Sequence, residues 1–504
     1  MKSLPVLLFR EKNIALSDKH FYLLLLLASV VVLLASPLAP FANKIPGIDS
    51  NVFIYCAQRI LEGKIIYKEV FDHKGPLLYI FNILGILLGK GNPSGIWFVE
   101  LISLFVSSLY IYKSISLFWR RDIAFFSTLS CLLFFTSVFD HGNYAEEYSI
   151  LFISISQYYF VSFLKDRKIH YPHFSIIAVC FACVLLIKAN GAVSWLVGWM
   201  MVAFLLLKAK RIVDLLKVIS ISLSIVFLIL LLFIGYLFFT DSFSDFKYCY
   251  WDFNQAYSDV SYKIISRTVK RSFFFSDMRC YNIYIFLSLS ALFFIFFNKT
   301  YKYKFPILFY IFSFVFTSVA ISVSETSFIH YYLVYIPILS CFHAIVYDAI
   351  TKQLKSHSFL FLFLLVLIFH TESITYFYSD VRKCFQKQEG ITEIVSFIKN
   401  NTGEDDKIYV IGNACIFYNL SHRESASKYP YLFPIASIKK YSDSMINQFY
   451  RDMEINQPKI IYKNWYKANW IEYEDIPGID AFLEKNYTKV QNMIGFDCYI
   501  KKQK

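Results

Sequence analysis

Long apolar runs set the terms for this chain. A segment that crosses the hydrocarbon core of a bilayer needs about 20 mostly apolar residues. Eleven candidates meet or approach that length: 20–41, 94–118, 122–140, 145–164, 174–188, 190–207, 214–239, 281–298, 305–323, 331–348 and 358–374. The fifth and sixth are short and also suit one re-entrant unit. Charged residues make up only 17% of the 504 residues, against roughly 25% in globular domains, and the deficit lies in these runs. The net charge of +13 does not mark a nucleic-acid binder, because much of it sits in short loops where Lys and Arg orient helices. Lys2, Arg10, Lys12 and Lys19 precede the first run. Lys113/Arg120/Arg121, Lys165/Arg167/Lys168, Lys208/Lys210/Arg211, Lys299/Lys302/Lys304 and Lys352/Lys355 fill alternate loops. Those loops are therefore expected in the cytoplasm with the N-terminus. Residues 42–93, 140–147, 240–280, 324–331 and everything after about 376 then fall outside. The first run, His20 to Phe41, is long for a signal-peptide core and lacks a small-x-small exit, so it reads as a spanning helix.

The expected fold is thus a mainly α polytopic membrane protein with about 11 transmembrane helices, its membrane domain covering 1–375. The tail, 376–504, differs in kind. Ile391, Ile394, Val395 and Ile398 repeat at helical spacing. KIYVIG (407–412), PKIIYK (458–463) and FDCYIK (496–501) read as strands, and GIDAFLEKNY (478–487) as a helix. This pattern predicts a small extracytoplasmic α/β domain. It has no GxGxxG and no P-loop, so no nucleotide is assigned to it. The ten cysteines show no metal spacing. Cys249, Cys280, Cys384, Cys415 and Cys498 fall in the outside segments, where a disulfide is chemically allowed but not deducible.

The first outside loop concentrates polar chemistry. PGIDSNVFIYCAQRILEG (46–63) places Phe53, Ile54, Ala57, Ile60 and Leu61 on one helical face, ending at Gly63. LLYIFNILGILL (77–88) is too short to span and reads as a second interfacial helix. Between them FDHKGP carries Asp72, His73 and Lys74, and Gly75-Pro76 forces a turn. Asp49 suits a helix N-cap or a catalytic carboxylate. Lys74 suits snorkelling to headgroups or a point-charge contact to a lipid phosphate. Further along, FDHGNYAEEYSI (139–150) offers Asn143, Glu146 and Glu147. Carboxylates at a helix start suit its dipole, yet adjacent helical residues point about 100° apart. One of the two glutamates should therefore face the bundle, where carboxylates are functional candidates. Lys188 closes LLIKANG, and His330 and Tyr331 open HYYLVYIP. Snorkelling and an aromatic belt explain these equally well.

In sum, GIDSNVFIYCAQRILEGKIIYKEVFDHKGPLLY resembles the first periplasmic loop of GT-C membrane glycosyltransferases. The nearest group is bacterial glycosyltransferase family 39, related to protein O-mannosyltransferases and the aminoarabinose transferase. Asp49 matches that group's early acidic residue, and Lys74-Gly75-Pro76-Leu77-Leu78-Tyr79 is similar to its Lys-x-Pro-Leu-x-Tyr turn. Asn-x-x-Glu-Glu (143–147), Lys-Ala-Asn-Gly (188–191), His-Tyr-Tyr-Leu (330–333), and DDKIYVIGN followed by YNLSHRESASKYP in the tail are similar landmarks.

The resemblance implies transfer of a monosaccharide from a polyprenyl-phosphate donor to a hydroxyl of a glycan, lipid or protein, with inversion, at a bacterial inner membrane. It implies catalytic roles for Asp49, Glu146 and Glu147, with Asp49 as base. Lys74, His73 and Lys188 are expected at the donor phosphate, and Asp72, Asn143, His330 and Tyr331 at donor or acceptor sugar. No cofactor is firmly implied. Some relatives hold a metal with an acidic residue before the lysine; here that position is His73, so a divalent metal stays open, with no ligand set assigned. A ligase using pyrophosphate-linked donors is one alternative, its second cation supplied by Arg267, Lys270 or Arg271. A lipid-linked sugar transporter is another, although no internal repeat of the kind transporters show is visible.

Overall fold

The computed structural model describes residues 17–258, 263–273, 289–290, 293, 304–324, 328–353, 359–386, 390–437, 439–464, 476–493 and 495–502. Among them, seven helices are long and apolar enough to cross a membrane: Asp18–Ala35, Pro93–Ser116, Arg121–Val138, Ala189–Lys208, Ile212–Phe239, Lys304–Ile321 and Ile329–Gln353. The chain is a multi-pass membrane protein. Ile212–Phe239 shows the solvent it was built for: Leu223, Phe227 and Leu232 are each more than 60% exposed, an apolar face that only lipid tails can cover.

The expected spans at 145–164 and 174–188 are the helices Ala145–Asp166 and Tyr171–Leu185. Ala145–Asp166 has 22 residues, about 33 Å at helical rise. It runs through the middle of the bundle and buries Ser149, Ser154, Ser156 and Gln157. The expected eleventh span, 358–374, is not one straight helix. It breaks at His370 into Phe359–Phe369 and Thr371–Cys384, bent by 70°. The expected boundary at 375/376 falls inside the second of these helices. The expected eighth span, 281–298, lies largely outside the described residues.

The tail contains one four-stranded sheet, ordered β1-β2-β4-β3: β1 Ile408–Ile411, β2 Ile460–Asn464, β3 Tyr487–Met493 and β4 Phe496–Lys501. β1 and β2 pair in parallel, Ile408 opposite Ile460, while β4 is antiparallel to both β2 and β3. All four residues of β1 are buried, as expected of a strand covered on both faces and read as a continuous apolar run. The three strands expected from sequence form. β3, with its polar Thr, Lys, Gln and Asn, has no apolar alternation to announce it. The described cysteines are all free.

The loop 42–93, expected outside, is sandwiched rather than laid on the bilayer. Its helices are Ile48–Leu61 and Pro76–Leu88. Nine of the 14 residues of the first are buried, because Ile416–Ser421 of the tail covers the face that an interfacial helix would leave wet. The Asn419 amide donates to the Asn51 carbonyl at 2.9 Å, and the Tyr55 hydroxyl accepts from the Ser425 N–H at 3.0 Å. One apolar cluster continues from Val52, Tyr55 and Phe71 into Tyr409, Tyr418 and Tyr431. The tail thus forms a roof over this loop.

Candidate active site

The turn at Gly75 fixes the site. Gly75 N–H donates to the Ile187 carbonyl and Leu77 N–H to the Leu186 carbonyl, each at 2.9 Å. These two bonds hold the Lys74 turn against the one that ends in Lys188. Gly75 has an ordinary φ of −76°; it is glycine because the other turn passes so close. A Cβ there would lie 2.2 Å from the Leu186 carbonyl oxygen.

Two cavities meet at this junction. One, of about 350 Å³, is lined by Asp49, Asp72, His73, Lys74, Asp140, His141, Tyr144, Glu146, Lys188, His330 and Tyr331, with Asn413, Tyr431 and Phe433 from the tail. The other, of about 330 Å³, is lined by Tyr250, Trp251, Asn254, Gln255, Asn190 and Ser324. His73, Lys74, Lys188 and Tyr331 belong to both.

Consecutive residues set the state of Lys74. Its ammonium donates to His73 Nε2 at 2.6 Å, so that nitrogen is the acceptor and the ring proton sits on Nδ1. Nδ1 faces Asp72 Oδ1 at 3.3 Å. Asp72 is buried and accepts from Tyr79 (2.7 Å), Tyr431 (2.8 Å) and the His73 N–H (2.8 Å). Burial alone would raise its carboxyl pKa; the hydrogen bond from His73, the charge of Lys74 and the Tyr79 hydroxyl outweigh that and hold it far below the carboxylate range. Burial, helped by the Lys74 charge, lowers the His73 pKa against the pull of Asp72. His73 is therefore neutral at pH 7. Among the described residues no carboxylate forms an ion pair with Lys74.

Lys188 is managed differently. It pairs directly with Glu146 and its ammonium lies 4.2 Å from the centre of the Tyr331 ring. Asp49 sits in the first turn of its helix, two residues beyond the N-cap Gly47, so it does not occupy the N-cap position. Its carboxylate lines the cavity and acts electrostatically on His73, Tyr144 and Tyr431.

Two expected site residues, Glu147 and Asn143, are not on the cavity wall. Glu147 points into the core and caps its own helix, accepting from the Asn143 N–H at 2.8 Å. The Asn143 side chain donates to Ser50 (3.0 Å) and Asn82 (2.8 Å). Both serve the turn Asp140–Asn143, where all four residues have positive φ, from 45° to 79°. Such left-handed residues cost about 1–2 kcal/mol each when they are not glycine. The turn brings Asp140 and His141 to the cavity, and Asp140 Oδ2 lies 3.3 Å from His330 Nδ1. The histidines on either side win over burial and keep Asp140 ionised.

Sequence reasoning missed Tyr144, Tyr431, Asn413 and Phe433 as wall residues. Tyr431 had one signal: the Tyr-Pro-Tyr turn at 429–431 follows a polar stretch, where an aromatic is free to serve a site. The donor set at His73 and His330 does not favour a metal, because Lys74 occupies His73 Nε2 and Asp140 faces His330 Nδ1. Among the described residues no group of three or more His, Cys, Asp or Glu gathers to hold a metal.

A bundle of this topology with a small α/β unit over its first large loop has the GT-C fold, as its likeness to solved structures shows. Among solved structures it is similar to ArnT from Cupriavidus metallidurans bound to undecaprenyl phosphate, with a TM-score of 0.65, 10% identity, and 96% of this chain and 98% of that chain covered. It is also similar to the oligosaccharyltransferase AglB from Archaeoglobus fulgidus in complex with an inhibitory peptide and a dolichol-phosphate, with a TM-score of 0.54, 10% identity, and 96% and 75% covered. The complex of the Archaeoglobus fulgidus oligosaccharyltransferase with Zn and sulfate gives a TM-score of 0.57 at 10% identity, over 87% and 67%. No family model and no curated protein sequence matches the chain.

Proposed function

We propose that the protein is a glycosyltransferase of the bacterial inner membrane that moves a monosaccharide from a polyprenyl-phosphate donor to an acceptor hydroxyl with inversion, its site and C-terminal unit outside the cytoplasm. The observation that carries this reading is the shared wall: Lys74 and Lys188 stand where two cavities meet, and Asp49 lines one of them. A two-substrate transfer needs donor and acceptor spaces that meet at the sugar's anomeric carbon, beside the leaving phosphate. Polyprenyl phosphates bound to the similar folds support the same donor class.

In one displacement the acceptor oxygen bonds to the sugar's anomeric carbon as the bond from that carbon to the phosphate oxygen breaks. Asp49 takes the hydroxyl proton. The lipid phosphate leaves with the electron pair, and its new charge faces Lys74. A fixed cation aimed at developing charge in a site with little water is the largest source of rate in such reactions. Lys74 is suited because its partner is a neutral imidazole, which aims the ammonium without cancelling it. Lys188, balanced by Glu146, supplies a second donor that adds little net charge. Two lysines on one wall also favour a second reading, a pyrophosphate-linked donor.

Transfer of label from a polyprenyl-phosphate sugar in detergent extracts tests the assignment. Asp49→Asn should lose about 10²–10⁴-fold in rate, the usual worth of a general base. Lys74→Ala should weaken donor use. Near-wild-type transfer by folded Asp49→Asn removes Asp49 from the role, and an unchanged donor dependence in Lys74→Ala removes the phosphate assignment. Preferential use of a pyrophosphate-linked donor would establish the second reading.

A further inference from the structure

We propose that Tyr431, carried by the C-terminal unit, is a positioning residue that sets the aim and charge environment of Lys74 through Asp72 and His73. The proposal rests on Lys74 as the phosphate contact. Tyr431 is 5% exposed, and its hydroxyl donates to Asp72 Oδ1 at 2.8 Å and lies 3.5 Å from His73 Nδ1. The strap that carries it is fastened on both sides. Leu432 N–H donates to the Gly412 carbonyl at the end of β1, and Phe71 N–H, next to Asp72, donates to the Lys428 carbonyl, each at 2.9 Å. The sheet is thereby held in register with the loop one residue from the carboxylate.

The chemistry follows from what a hydroxyl does to a carboxylate. Tyr431 and Tyr79 each satisfy one Asp72 oxygen and draw charge from it. With Tyr431 gone, Asp72 Oδ1 pulls harder on the His73 Nδ1 proton, and Nε2 becomes more basic. Protonation of Nε2 then competes with its contact to Lys74 and releases the ammonium from its aim. The other groups around His73 keep their places: Asp49 across the cavity, Lys74 beside it, Phe253 and Phe433 against the ring, and Asp140, His141, Glu146, Lys188 and His330 on the same cavity wall.

Tyr431→Phe, which keeps the ring, is compared with Tyr409→Phe, which removes a buried hydroxyl of β1 that donates to the Tyr429 carbonyl of the same strap at 3.0 Å. Label transfer is measured against polyprenyl-phosphate sugar concentration and against pH. Tyr431→Phe is expected to raise the donor KM about fivefold to tenfold, the scale of one hydrogen bond, with a smaller change in kcat. Its acid limb should move to higher pH. Tyr409→Phe should lower thermal stability and leave KM and the acid limb unmoved. A Tyr431→Phe enzyme with wild-type KM and acid limb, while Lys74→Ala impairs donor use, overturns the inference alone. If Lys74→Ala itself leaves donor dependence unchanged, the reading of Lys74 falls and takes the inference with it.

Discussion

Replacing Gly75 by alanine should separate the two lysines without touching either. The added Cβ would sit 2.2 Å from the Leu186 carbonyl oxygen and 2.9 Å from the Ile187 nitrogen, whereas ordinary contact begins near 3.4 Å. The obstacle is backbone, so no side chain can swing away, and one turn must retreat by about 1.2 Å. That retreat strains both backbone bonds that join the turns, Gly75 to Ile187 and Leu77 to Leu186. Overpacking of this kind costs about 1–3 kcal/mol, and each lost hydrogen bond roughly 1 kcal/mol more. The helices are not rebuilt, so the protein should fold with a lowered Tm. Catalysis should suffer more, because a misplacement of about 1 Å costs on the order of 10²-fold in rate. Label transfer and thermal unfolding of purified Gly75→Ala in detergent report the two effects separately. A variant with wild-type rate and Tm would refute the claim that this close approach builds the junction. A fall in Tm with full activity would refute its catalytic importance.

Lys188→Met leaves Glu146 buried without its partner, so it should destabilise by about 3–5 kcal/mol. The double variant Lys188→Met/Glu146→Gln should recover Tm but not transfer; recovered transfer would show that the pair is structural only. Acidification should lower stability. His73 and Asp72 both have pKa values below their unfolded values, so the unfolded chain binds protons first and stability falls as pH drops below about 6.5, where an ordinary histidine titrates. Tm followed from pH 7.5 to 5 should decline, and less so in His73→Asn; a flat profile in the wild type contradicts a neutral buried His73. Asn143→Ala removes the bonds that hold the left-handed turn and should cost about 1–3 kcal/mol while also reducing transfer; loss of Tm with unchanged kcat would leave the turn without a role in aiming Asp140 and His141.

Elements written in a local period were legible in the sequence. The apolar runs announced the seven described helices long enough to span, and the apolar strands β1, β2 and β4 stood out between turns. β3 did not, because its sequence, YTKVQNM, shows no apolar alternation; it pairs with β4. The break at His370 is invisible in a run that stays apolar up to Phe369. Asp49, Lys74, Glu146 and Lys188 stood out as candidates through the resemblance, and the structure brings them to one cavity, but nothing local in the sequence says why they meet. Gly75 reads as a turn former, whereas its work is to let a second backbone pass. Glu146 and Glu147 are equivalent in sequence; only the helix phase sends one to the cavity and the other to its cap. Tyr431 lies 359 residues from Asp72, and no local pattern encodes a contact across that distance.

The most direct test is where a donor's phosphate sits. A cryo-EM structure of the detergent-solubilised protein with undecaprenyl phosphate should place the phosphorus at the common wall of the two cavities, with an oxygen within hydrogen-bond distance of Lys74 Nζ and Asp49 across the same chamber. A phosphate bound away from Lys74, or a lipid whose headgroup enters neither cavity, would contradict the account.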